Sequence, residues 1–91
     1  MKNNHEVLGN TIKNYRVKAH LTQMDLAKKL GYNTPQFVSL FERGLSKIPL
    51  ETLGSIIVYL KIPEKTVLSL LVQGYEQEVR QKISAGKKSA R

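Results

Sequence analysis

Apolar residues recur along this chain at intervals of three and four, the spacing that lines one face of a helix. Between Val7 and His20 they fall at Leu8, Ile12, Tyr15 and Ala19. Leu26, Ala27 and Leu30 form a second stripe. Phe37, Val38 and Phe41 form a third, and Leu53, Ile56, Ile57 and Leu60 a fourth. Further on, Val67, Leu71, Tyr75, Val79 and Ile83 recur every four residues, with Leu68 and Leu70 adding a second apolar side near the start. No stretch keeps the period of two that marks a half-buried strand, and no segment repeats. The pattern predicts an all-α chain of five helices: 7–20, 23–30, 35–43, 50–60, and one opening at Ile62-Pro63-Glu64 that continues past Leu71.

Punctuation between the stripes supports these bounds. Thr22 is an N-cap, with Asp25 three residues on as its reciprocal partner. Gly31 is a left-handed stop for the second helix. Thr34 caps the third, and Pro35 takes its first position, where a missing N–H costs nothing. Gly44 ends it. The fifth helix begins with Pro63 and an acid, Glu64, in its first turn. Gly74 costs that helix roughly 1 kcal/mol relative to alanine, which the apolar row outweighs. Residues 1–6 are polar and expected to fray. Ser84–Arg91 holds a glycine, two serines and three basic residues, which predicts a disordered basic tail. The organisation expected is a domain over 7–72, a helical extension over 73–83 and a tail over 84–91.

Composition narrows the function. Ninety-one residues make one domain, and a chain this short buries only about 60–65% of the surface its unfolded form exposes. Fifteen Lys and Arg against seven Asp and Glu give a net charge of +8, which favours polyanions, nucleic acid above all. The absence of cysteine removes disulfides, thiolate zinc sites and thiol catalysis, and fits a reducing cytosol. No apolar run reaches the ~18 residues needed to span a bilayer. The start MKNNHEVLGN lacks the apolar region of a signal peptide. A cytoplasmic protein of a bacterium or phage host is expected, with no membrane association. His5 and His20 stand alone and make no metal site. Ser39 and Ser55 have no positioned base, and there is no phosphate-binding glycine loop. No enzyme, metal or cofactor is expected.

The chemistry concentrates in Leu21–Gly44, two short helices joined by a glycine turn. One helix of such a pair braces while the other enters the major groove of DNA. Ala27 and Gly31, four apart, supply a small residue where the helices cross and a pivot between them. Gln36 and Ser39, three apart, share the outward face of the third helix. Glutamine pairs with adenine in a two-pronged hydrogen bond, and serine is permissive. Asn33 and Thr34, in the turn, are candidates for DNA contact, whereas Tyr32 reads as packing. Tyr75, Val79 and Ile83 have no remaining core to join, so with Leu71 they read as a dimer-forming face.

The pieces LGNTIKNYR, LTQMDLAKKLG, SLFERG and PLETLGSIIVYLKIP make Leu8–Val72 resemble the Cro/C1-type (lambda-repressor-like) helix-turn-helix family. The resemblance implies a five-helix bundle, a reading helix at 35–43 and a two-fold dimer on a palindromic operator in double-stranded DNA. By that resemblance Gln23 holds a phosphate at the start of the second helix, Gln36 and Ser39 face bases, and Arg43 and Lys47 contact the phosphate backbone. Arg16 and Glu42 align with a structural salt bridge between the first and third helices. Two departures stand out. Tyr32-Asn33-Thr34 make the turn one residue longer than is common in the family, and Leu40 replaces a residue that is usually polar. Leu40 has two readings, contact with a thymine methyl or cover for a protein partner. The function implied is a transcriptional regulator, a repressor. A second reading on the same fold is an antitoxin or other interaction module that holds a protein partner such as a toxin.

Overall fold

Four turns, each pivoting on a residue in the left-handed conformation, divide the described residues into five helices. The computed structural model describes residues 3–89. Its helices are α1 (Asn4–Lys18), α2 (Gln23–Lys29), α3 (Gln36–Glu42), α4 (Leu50–Leu60) and α5 (Glu64–Ser89), with no strand among the described residues. The pivots are His20, Gly31, Gly44 and Lys61, at φ of 60°, 85°, 70° and 54°. Each turn closes with the same two bonds. After α2, for example, the Gly31 N–H donates to Lys28 O at 3.1 Å and the Tyr32 N–H to Ala27 O at 2.9 Å. The pair satisfies carbonyls that a helix end otherwise leaves open. Glycine announces two of these stops; His20 and Lys61 do the same work without that signal. This is why α1, expected to reach His20, ends at Lys18, and why Ala19 is exposed rather than part of the buried stripe.

Helix starts also differ from expectation in places. α1 begins at Asn4 rather than Val7, because the Asn3 side chain accepts a 2.9 Å bond from the Glu6 N–H. The segment expected to fray is therefore a capped first turn from Asn3 onward; Met1 and Lys2 lie outside the described residues. At α2 the reciprocal cap is complete: the Asp25 N–H donates to the Thr22 hydroxyl at 3.0 Å, and the Thr22 N–H donates to the Asp25 carboxylate at 2.8 Å. Those bonds, helped by Lys28 and Lys29, hold the Asp25 carboxyl below its usual range. At α3 the bounds tighten to Gln36–Glu42. Pro35 stands just outside, its carbonyl accepting the first helical bond from Ser39 at 2.9 Å, so Thr34 lies one residue further out than expected. The Thr34 hydroxyl receives only a long 3.4 Å bond from the Gln36 N–H.

The core gathers Leu8, Ile12, Leu26, Ala27, Val38, Phe41, Leu53, Ile56, Leu60, Ile62 and Val67. α1 runs through its centre and touches α3, α4 and α5, while α2 packs on α3. Gly9 permits the approach of α1 to the end of α3. A Cβ there would collide with the carbonyl oxygens of Phe41 and Glu42 at the end of α3. Phe37, expected on the apolar side of α3, is instead 48% exposed. It sits at the border of the buried face, with its ring 5.1 Å from that of Tyr32.

α5 departs furthest from the reading of its sequence. The row at every fourth residue cannot stay on one face, because four residues overshoot a 3.6-residue turn. Val67 is buried, Leu70 and Leu71 are half-buried, and Tyr75, Val79 and Ile83 have wound out into solvent. The helix is unbroken across residue 73 and runs through Ser89, where a disordered tail from Ser84 was expected; Ala90 and Arg91 lie outside the described residues. Residues 75–85 are mostly good helix formers, and Glu76 pairs with Arg80 at 2.9 Å four residues on. The single Gly86 subtracts roughly 1 kcal/mol, too little to stop the helix. No helix among the described residues is long and apolar enough to cross a membrane.

Candidate nucleic-acid interface

α3 divides cleanly into two sides. Val38, Phe41 and Glu42 are buried. Gln36 and Arg43 are exposed and Ser39 and Leu40 half-buried on the other side. Positions 36, 39, 40 and 43 stand in the i, i+3, i+4, i+7 relation that makes one helical face. Leu40, read as touching a thymine methyl or covering a protein partner, is half-buried. The Arg43 guanidinium folds back along this face, its Nε 3.4 Å from the Ser39 carbonyl. Asn33 and Thr34 are exposed in the turn before α3, and Lys47 is exposed in the loop after it.

The turn itself is braced by aromatic packing. Tyr32, Phe37 and Phe41 form a cluster with ring centroids 5.1 to 6.5 Å apart, in the range where tilted rings attract. Tyr32 closes the end of α2 through its N–H and reaches the first turn of α3 through its ring.

Beneath the outward face lies a buried polar bracket. The Arg16 Nε donates to Glu42 Oε2 at 2.6 Å and its Nη2 to Oε1 at 3.0 Å, a two-pronged pair between α1 and α3. Its Nη1 donates to the Leu21 carbonyl at 2.7 Å. The Gln23 amide donates to Glu42 Oε1 at 3.0 Å, so α2 joins the same bracket. The structure therefore brings Arg16 and Glu42 together as the alignment of residues implied. It adds Gln23, which the sequence suggested only as a phosphate contact; one of its amide hydrogens is already committed to Glu42.

The electrostatic result favours an anion. Glu42 is the sole acid in α3, and its charge is matched internally by Arg16. The outward face of α3 carries no carboxylate and includes Arg43, while Lys47, in the following loop, lies beside Tyr75, Val79 and Ile83 of α5. The α5 residues Tyr75, Val79 and Ile83 do not join this face. Gly9 is the positioning residue that sequence reasoning passed over, although a glycine inside a helical stripe signals close backbone approach.

A helix-turn-helix family model matches residues 12–67. No curated protein matches the chain. Two crystal structures of the clp gene regulator ClgR from Corynebacterium glutamicum share its fold, each with a TM-score of 0.66. One is 25% identical and covers 80% of this chain and 92% of that one. The other is 22% identical and covers 93% and 95%.

Proposed function

The chain belongs to the Cro/C1-type helix-turn-helix family of DNA-binding transcription regulators, and from that premise we propose that it is a dimeric, sequence-specific repressor that reads a palindromic operator with α3. The observation that carries this reading is the division of α3: a buried side that fixes the helix, and an outward side of Gln36, Ser39, Leu40 and Arg43. Gln36 and Ser39 read base edges, and Leu40 meets a thymine methyl. Gln23, Asn33, Thr34, Arg43 and Lys47 hold phosphates, which supply affinity and register but no sequence information. Leu71, Tyr75, Val79 and Ile83 join two copies, setting the two reading helices one DNA turn apart, about 34–36 Å. ClgR, similar in fold, is by its description a gene regulator, in keeping with this role. Repression follows from occupancy of the operator, in the cytoplasm of a prokaryote or phage host.

Selection of bound sequences from a random double-stranded pool tests the proposal. The expected outcome is an enriched palindrome whose half-sites lie about 10 base pairs apart, centre to centre. Retention of DNA without any enriched sequence would overturn base reading by α3.

A further inference from the structure

Nothing among the described residues covers the outer stripe of α5. Leu68, Val72, Tyr75, Val79 and Ile83 are all exposed, Tyr75 by 70% and Val79, the least, by 37%. Residues 75–89 carry the helix roughly 22 Å beyond Gly74 at 1.5 Å per residue. The molecule is accordingly 53 Å long but only about half as wide. Leu68, Val72, Tyr75 and Val79 are spaced four, three and four, the spacing of a seam between two helices.

The residues around Val79 decide what the stripe pairs with. Around Val79 the acids Glu76 and Glu78 precede it and the bases Arg80 and Lys82 follow it, with Tyr75 and Ile83 beyond them. In an antiparallel pair about a two-fold axis at Val79, position 79−n of one helix is level with 79+n of the other. Tyr75 then meets Ile83 across the seam, and on its flanks Glu76 stands beside Arg80 and Glu78 beside Lys82 of the second copy. A parallel pair sets Glu76 beside Glu78 and Arg80 beside Lys82 of the second copy, which is repulsive. A cleft of about 730 Å³ opens beside the same stripe, with Leu71 and Tyr75 on its α5 wall and Leu8, Asn4 and Ile48 across from them. The Asn4 amide nitrogen is buried there without a hydrogen-bond partner among the described residues. In the antiparallel arrangement residues 83–87 of a second copy lie along Leu71–Tyr75, over the rim of that cleft.

We propose that two copies of this chain pair through α5 in antiparallel fashion about Val79, with Tyr75 packed against Ile83 of the second copy. The proposal rests on the dimeric reading above and gives it a geometry. Because the chain has no cysteine, single cysteines report the arrangement directly. A disulfide needs Cα atoms within about 7 Å. Val79→Cys lies on the axis and is expected to cross-link to itself. Tyr75→Cys alone is not, since its two copies lie about 12 Å apart along the helices. A mixture of Tyr75→Cys and Ile83→Cys chains is expected to cross-link strongly. These positions are exposed, so the variants keep the fold, which circular dichroism checks. Self-cross-linking of Tyr75→Cys and of Ile83→Cys would overturn the antiparallel arrangement in favour of a parallel one. Absence of every cross-link in a chain that sediments as a dimer would overturn the α5 interface while leaving the dimer intact. A monomer at concentrations that saturate the palindrome would remove the dimer itself.

Discussion

Removing one member of the Arg16–Glu42 pair should cost far more than removing both. The two side chains are only 10% and 2% exposed. Arg16→Met leaves the Glu42 carboxylate in an apolar site with the Gln23 amide as its remaining side-chain partner. Glu42→Leu leaves the Arg16 guanidinium with only the Leu21 carbonyl. Stranding a buried charge in this way costs about 3–5 kcal/mol. A chain of this size holds roughly 5–14 kcal/mol in total, so either single variant is expected to lose a large share of its stability. Replacing both partners removes both charges. The double variant Arg16→Met, Glu42→Leu gives up the strong bonds but strands no ion, and buried pairs exchanged for apolar residues of similar volume are often neutral or better. Half-buried Gln23 can turn to water. The double variant is therefore expected within about 2 kcal/mol of the parent. Urea unfolding followed by circular dichroism measures all four corners of the cycle. Single variants within 1 kcal/mol of the parent, or a double variant as damaged as the sum of the singles, would falsify the claim that the pair is desolvated and coupled.

Other substitutions test the remaining joints. Thr22→Ala should cost about 1 kcal/mol of stability by opening the α2 cap. The low Asp25 carboxyl adds stability that is present above its unfolded value near 3.8 and lost as pH falls through its lower folded value. Asp25→Asn should flatten that acid limb in a pH series of unfolding curves. Gly9→Ala places a Cβ against the α3 terminus and should cost roughly 1–3 kcal/mol by forcing α1 and α3 apart, seen as a lower melting temperature. Lys61→Gly relieves the left-handed strain after α4 and should raise stability by about 1 kcal/mol in the same assay. On DNA, Gln36→Ala should relax preference at one base position at a cost of about 1–3 kcal/mol. Lys47→Ala should weaken all sequences alike and lower the salt slope by about 1. Binding titrations at several salt concentrations separate the two.

The helices and the motif were legible because local chemistry determines them. Thr22 and Asp25 cap α2 wherever α2 packs, and Gly31 and Gly44 mark their turns by lacking a Cβ. The α4 bounds follow from its stripe and match residue for residue. What was not legible depended on tertiary or cumulative effects. His20 and Lys61 adopt a conformation their side chains disfavour because the turns between packed helices demand it. Phe37 reads as core by residue type, but its position at the border of α3 leaves it against Tyr32 instead. The α5 row read as continuous because a period of four resembles 3.6 over two turns and diverges only over five. The link from Gln23 to Glu42 joins residues nineteen apart, and no local pattern encodes it.

That link bears on how the two halves of the motif act together. α3 has seven residues, well short of the ~12–15 that hold a helix in water unaided, so its direction is set by what grips it. The grip has two ends. At the start of α3, Tyr32 packs on Phe37 and Phe41. At its end, Glu42 is held by Arg16 from α1 and Gln23 from α2, while Gly9 lets α1 lie directly against the same turn. Both ends are anchored through the buried side, which leaves Gln36, Ser39, Leu40 and Arg43 free of structural duty apart from the long Arg43 contact. The outward face can therefore vary in sequence without disturbing the angle at which it is presented. Gln23 is the exception, because the residue proposed to hold a phosphate also grips the helix proposed to read the bases. If Gln23 holds a phosphate as proposed, that contact and the orientation of α3 are coupled through one amide and one carboxylate.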